Sequence, residues 1–185
     1  MNDAGVRPFS IRALLEDRAR YLVPMYQRNY AWGEGEITQL LQDVLDYQQK
    51  LVSGKGPQTY YIGTLVVFAR DDGSFEVIDG QQRFTTLSLL ANWLKHHAID
   101  SVDMSWYQTI NLAFESRPIS SHTFERLWQG VAPYDLRGST FNEGLVNGFE
   151  LIDKAMADLG LVGAKLTAFC DYLFKHVQIS RIEVP

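Results

Sequence analysis

Asp79, Gly80, Gln81, Gln82 and Arg83 form a run whose residue types suit anion chemistry. The glycine permits a tight turn and close approach of a ligand. The arginine offers a planar, permanently charged fork that matches phosphate oxygens. The run lies between an apolar, strand-like stretch at 75–78 and an amphipathic helical stretch from 84 to about 94. At such a switch the first helical N–H groups lack internal partners, and the helix dipole favours negative charge. The same residues also fit an ordinary turn in which Asp79 caps the helix and Arg83 pairs on the surface.

A second block runs from Val23 to Trp32 and holds Tyr26, Gln27, Arg28, Asn29, Tyr30 and Trp32 within seven positions. Pro24 keeps this stretch out of helix. Aromatic rings beside amide and guanidinium groups can stack on a base and bond its edge. The same rings can equally plug a core, the commoner fate of aromatics. Gln27 and Arg28 fit a core less well, because buried polar groups need partners.

The elements that must position these blocks are readable in outline. Residues 10–17 read as a short helix with Ser10 as N-cap, and 21–24 as an extended segment. Ile37, Leu40, Leu41, Val44, Leu45, Gln48 and Leu51 keep helical spacing in a helix starting near 34–36 and ending by 53–54. Glu34 and Glu36 place negative charge at its N-terminus. Residues 54–57 read as a loop. Residues 60–69 are apolar almost throughout, which predicts a strand covered on both faces. Asp71-Asp72-Gly73-Ser74 is a hairpin signal, with 75–78 as the returning strand. A helix follows over 81–97, and His96-His97 suit its C-terminal dipole.

The stretch 100–118 is ambiguous, with room for a strand within 104–115. Residues 120–129 read as helix and 131–138 as loop. Thr140 and Glu143 form a capping-box signature for a helix reaching about 159. Another helix spans 161–174, and 177–184 reads as a last strand. The fold class is therefore α+β: a mixed first part, 1–100, and a mainly helical extension, 101–185, ending in a strand.

Composition sets further bounds. The chain has 185 residues, 46% hydrophobic and 21% charged, with net charge −5 and a pI near 5.3. This acidic balance argues against broad, sequence-independent duplex binding, which needs many basic contacts, but permits a local basic pocket. A single cysteine, Cys170, excludes an intramolecular disulfide and a thiolate-rich zinc site. It fits a reducing cytoplasm. The start has no apolar signal core, and no apolar stretch is long enough to span a membrane. There is no Gly-x-x-x-x-Gly-Lys-Ser/Thr loop and no Gly-x-Ser-x-Gly elbow. His96, His97, His122 and His176 have no metal-site spacing, and no His-Asn-His nuclease pattern occurs.

Val23-Pro24-x-Tyr26-Gln27-Arg28-x-Tyr30-x-Trp32, a helix carrying Asp43, Tyr61-Ile62-Gly63-Thr64, and the stretch from Ile78 through Asp79-Gly80-Gln81-Gln82-Arg83 to Leu87 follow in order. Together they resemble the family called domain of unknown function 262. It includes the N-terminal domain of GmrSD-type modification-dependent restriction enzymes. The resemblance is specific over about residues 20–95 and weaker over the helical second half. The family is similar to the ParB/sulfiredoxin-like fold, in which a Gly-x-x-Arg turn binds nucleotide phosphates. Sulfiredoxins place a reactive cysteine directly after that glycine; here the position holds Gln81, so sulfiredoxin chemistry does not apply.

The resemblance implies binding and hydrolysis of a nucleoside triphosphate with Mg²⁺, a GTPase-like activity, coupled to defence against foreign DNA. It makes 1–100 a ParB-like nucleotide-binding core. It also implies that the chain continues, often into a nuclease domain, so that DNA is met through the full-length protein. By the resemblance, Gly80 and Arg83 bind phosphate, with Gln27 and Arg28 facing the same pocket; from the residues themselves, Thr85 can add a hydroxyl from the first turn of the helix. Asp79 is the candidate metal ligand or base, and Gln81 or Gln82 the candidate for orienting water. Tyr26, Tyr30 and Trp32 are base-stacking candidates, with core packing as the alternative. Thr85 and Thr86 can instead bond their own backbone. Gly63 marks close approach of ligand or backbone, or plain packing. Two other functions stay open: a non-catalytic DNA-binding or modification-sensing module, and a ParB-like nuclease using Asp79 and a metal.

Overall fold

A computed structural model describes residues 5–185. Ser10 ends β1 (Val6–Ser10) and caps α1 (Ile11–Glu16), its hydroxyl accepting from Ala13 N–H at 3.1 Å. After β2 (Tyr21–Val23) and the Pro24 block comes α2 (Glu34–Val52), bounded as its apolar spacing predicts. The hairpin β3 (Tyr60–Ala69) and β4 (Phe75–Asp79) turns at Gly73, whose N–H donates to Arg70 O at 3.1 Å. Gly80 then leads into α3 (Gln81–His97). The ambiguous stretch holds β5 (Leu112–Phe114), too short to show a period in sequence. It is followed by α4 (Pro118–Trp128), a 3-10 turn at Pro133–Leu136, α5 (Glu143–Asp158), α6 (Gly163–Lys175) and β6 (Val177–Val184).

The strands form one sheet in the order β1-β6-β3-β4-β2-β5. β6 lies between β1, antiparallel to it, and β3, parallel to it. β3 and β4 are antiparallel, while β4, β2 and β5 run parallel. The last strand sits inside the sheet, and α5 packs on α2 and α3. The architecture is mixed α+β, with no helix among the described residues long and apolar enough to cross a membrane.

Burial alternates along the sheet. Ile62, Leu65 and Val67 of β3 are buried with Val77, Tyr21, Val23, Ile179, Leu112 and Phe114, whereas Tyr61 is 58% and Phe68 40% exposed. The prediction that β3 is covered on both faces is therefore corrected. Its near-continuous apolar run arises because large apolar residues also occupy its open face.

α3 also differs from expectation. From Phe84 to Leu94 every residue is buried, so this helix is buried all round rather than amphipathic. The capping box expected at Thr140 gives way to Asn142. Its Oδ1 accepts from Leu145 N–H at 3.1 Å, while Ser120 Oγ and Thr123 Oγ1 of α4 accept from its amide and backbone N–H. Neighbouring α4 thereby selects Asn142 as the cap.

Burial raises the phenol pKa of Tyr21 and Tyr107, and that of Tyr30 to about 12. A tyrosine in the unfolded chain titrates near 10. Above about pH 10 the unfolded chain loses protons that the folded chain keeps, so stability falls as pH rises, by up to about 1.4 kcal/mol per pH unit for each tyrosine. Urea midpoints should hold steady up to about pH 9 and fall by about pH 11. A flat profile would contradict this burial.

Candidate functional site

β2, β4 and β5 are parallel, so their C-terminal ends share one edge of the sheet, the usual ligand edge of parallel strands. β3 runs past the end of β4: Val66 pairs with Asp79, which leaves Gly63 and Thr64 beside the turn that follows β4. Gly80 sits in that turn with φ 99° and ψ 7°, the left-handed region. A Cβ there would lie 2.9 Å from Thr64 O and 3.2 Å from Leu65 Cδ1. Conformation and space both demand glycine. The first backbone bond of α3 is Phe84 N–H to Gly80 O, so the N–H groups of Gln81, Gln82 and Arg83 have no partner within the helix.

Arg28, Trp32, Asp79, Gly80, Gln81, Gln82 and Arg83 line one cavity of about 200 Å³ at this edge. Both sequence blocks therefore meet there. Among the described residues, neither Arg28 nor Arg83 forms an ion pair. Arg83 lies against Gly63, where a Cβ would stand 2.7 Å from its Nη1 and 3.3 Å from its Cζ. Gly63 has φ +129° and falls where the β3–β6 register shifts between Tyr61 and Thr64. The close approach anticipated at Gly63 is that of the Arg83 side chain.

The glutamines divide the work. Gln27 donates Nε2 to Ile78 O at 2.9 Å and accepts from Gln81 Nε2 at 3.0 Å. Among the described residues, the side-chain carbonyl oxygen of Gln81 has no hydrogen-bond partner and is open as an acceptor. Gln82, 8% exposed, accepts from Ala31 N–H at 2.8 Å and donates to Asn29 O at 3.1 Å. Its amide thus clamps the 29–31 backbone against α3, which makes it a positioning residue rather than a water-orienting one.

Thr85 is 2% exposed and donates to Gln81 O at 2.7 Å, so its hydroxyl serves the helix backbone, not the cavity. Tyr30 is 6% exposed: its ring packs on Gly148, where a Cβ would come within 2.5 Å of Cε1, and its hydroxyl meets Thr86 Oγ1 at 2.8 Å. It cannot stack on an incoming base. Tyr26 is exposed, but its hydroxyl bonds Glu76 at 2.8 Å and it does not line the cavity. Of the three stacking candidates, Trp32 alone borders the cavity.

Sequence reasoning missed Arg117, whose guanidinium donates to Met25 O at 3.0 Å and to Gln27 O, fastening the Pro24 block to the start of α4. Nothing in its sequence context marks it. It also missed Gly144 and Gly148, which let α5 press on Tyr30; a Cβ on Gly144 would come within 2.4 Å of Tyr30 O. Glycines four apart inside a predicted helix were the available sign of close packing.

A larger cavity, about 560 Å³, lies against the 99–105 loop. Its lysine, Lys95, already donates to Tyr107 O at 2.8 Å. Size alone does not outweigh two unpaired guanidiniums at a helix N-terminus. Cys170 is buried, and burial pushes its thiol up to about 12. The thiolate is thus disfavoured at working pH, and a disulfide reagent at about pH 8 should modify Cys170 only after unfolding. Rapid native labelling would refute its burial.

The described residues contain no cluster of three or more His, Cys, Asp or Glu able to hold a metal alone. A comparison with curated proteins gives no match. The model of one family, described as the GmrSD restriction endonuclease N-terminal domain, matches residues 11–185. Both motif blocks, the sheet that joins them and the helical second half fall within that match, so the chain belongs to the N-terminal domain family of the GmrSD restriction endonucleases, proteins of DNA restriction.

Proposed function

We propose that the Asp79–Arg83 turn binds and hydrolyses a nucleoside triphosphate, as the regulatory part of a restriction enzyme that acts on DNA in phage defence. The observation that carries this reading is the convergence of two unpaired guanidiniums, Arg28 and Arg83, with the free N–H groups of α3 on one cavity. Fixed donors of this kind neutralise phosphate charge without reorganisation.

Asp79 is the carboxylate in the cavity. Mg²⁺ needs only one or two protein carboxylates when phosphate oxygens complete its shell, so Asp79 fits as the residue that would hold a nucleotide-borne magnesium. The ion would supply further charge neutralisation. In hydrolysis, water attacks the γ-phosphorus and the bond to the β–γ bridging oxygen breaks. The nucleoside diphosphate leaves with that oxygen's electron pair, and the water proton passes to bulk solvent. The free Gln81 carbonyl oxygen orients the water.

Titration with nucleoside triphosphate and Mg²⁺, together with a phosphate-release assay, tests this reading; absence of both binding and release would end it. Gly63→Ala should weaken binding about tenfold, roughly 1.4 kcal/mol, because the added methyl displaces Arg83. Unchanged affinity in a folded variant would show that Arg83 does not need its place on Gly63. A gel shift with plain and modified duplex separates nucleotide binding from a DNA-reading role.

A further inference from the structure

We propose that Arg117 is a positioning residue of this site, setting the backbone from which Arg28 reaches the phosphate cavity, an inference that rests on the nucleotide-binding reading above. β2 and β5 pair in parallel up to Val23 and Phe114. Past the end of that ladder, the corner between β5 and α4 goes on donating to the block that follows β2. Glu115 N–H donates to Val23 O at 2.9 Å. The Arg117 guanidinium donates to Met25 O at 3.0 Å and to Gln27 O. Both carbonyls belong to the turn over 24–27, which Gln27 N–H closes on Pro24 O at 3.1 Å.

The corner is itself held in place. Glu115 pairs with Arg70, which also bonds Glu76, the acceptor of the Tyr26 hydroxyl. Between Glu115 and Arg117, Ser116 takes φ 57°, a left-handed value that non-glycine residues rarely adopt. Such a conformation persists only where its surroundings impose it.

Gln27 O belongs to the peptide unit that joins Gln27 to Arg28. On the other side of Arg28, Asn29 O accepts from Gln82 Nε2 at 3.1 Å. The backbone is therefore gripped before and after Arg28, by Arg117 and by Gln82. Arg28 is exposed and lines the cavity, whereas Arg117 lies outside that lining. A released block visits other conformations, and apparent affinity falls with the fraction that stays competent.

The test is calorimetric titration with Mg²⁺ and whichever of ATP, GTP, CTP and UTP the wild-type chain binds most tightly. Arg117→Ala should bind about tenfold more weakly. Arg117→Lys, which replaces the two-donor fork by a single ammonium, should lose about threefold. In an Arg28→Ala background, Arg117→Ala should change affinity by less than about twofold, because the group it positions is gone. Amide hydrogen exchange over 25–31 should quicken in Arg117→Ala without nucleotide, while the melt stays cooperative. Wild-type affinity in Arg117→Ala, or an equal loss in both backgrounds, overturns the proposal and leaves nucleotide binding standing. Should Arg117→Ala melt without cooperativity, the same cycle with Arg117→Lys decides, and a loss that persists in the Arg28→Ala background overturns the proposal. Absence of nucleotide binding by the wild-type chain ends the nucleotide reading and this inference with it.

Discussion

Arg83→Ala should abolish measurable nucleotide binding while leaving the protein folded. A guanidinium gripping phosphate through two charge-assisted hydrogen bonds contributes about 1.5 kcal/mol or more for each, so affinity should fall at least about a hundredfold. The fold has little at stake. Arg83 makes no ion pair among the described residues, and its guanidinium only rests on Gly63. Substitution at such a position changes stability by about 0.5 kcal/mol or less. Calorimetric titration and a thermal melt on the same preparation separate the two effects. Wild-type affinity in the variant would remove Arg83 from the site; loss of the melt would make it structural.

Arg181 should show the opposite pattern, with a large loss of stability. It lies on the helix-covered face of β6, 9% exposed, with its guanidinium between the rings of Phe9 at 4.7 Å and Phe75 at 4.5 Å. Its Nη1 donates to Tyr21 OH at 2.9 Å and lies 3.5 Å from Asp17 Oδ2, which in turn accepts from Tyr21 OH at 2.7 Å. This network links β6 to β2 across the sheet. Arg181→Ala leaves Asp17 without its cation and opens a void between two rings. Removing one partner of a buried pair costs about 3–5 kcal/mol. Asp17 keeps 22% side-chain exposure, so the lower figure, about 3 kcal/mol, is expected. For a chain of this size that lowers Tm by roughly 6–12 °C. Arg181→Met retains the apolar stem between the rings and should lose less. Equilibrium urea unfolding measures both, and two variants within about 1 kcal/mol of wild type would show that the network contributes little.

Much of the fold was legible because local signals carried it. Ser10 at a cap, apolar spacing along α2, the Asp71–Ser74 turn and the switch at Gly80 each act within a few residues. The meeting of the two sequence blocks was legible from the family resemblance. Other features depend on distant partners. The central place of β6 is set by pairings with β1 and β3, far away in sequence. The open face of β3 could not be told from a covered one, because Tyr61 and Phe68 are apolar although exposed.

The site shows the same division. Glycine at 80 was readable as a turn, and its left-handed φ gives the reason. The separate duties of the two adjacent glutamines were not readable, since identical side chains diverge only by helical position: both border the cavity, but Gln81 bonds Gln27 while both amide atoms of Gln82 are bonded to the 29–31 backbone. Tyr30 reads as a stacking residue until α5 closes on it through Gly144 and Gly148. Arg117 depends on a contact about ninety positions away, beyond the reach of any local pattern.

Backbone amide NMR of the chain, recorded with increasing nucleoside triphosphate and Mg²⁺, locates the nucleotide site without substitution. The largest shifts should fall at Gln81, Gln82 and Arg83, with Arg28, Trp32 and Gly63 following. Saturating shifts centred on the 99–105 loop instead, or a spectrum that does not move, would contradict that placement.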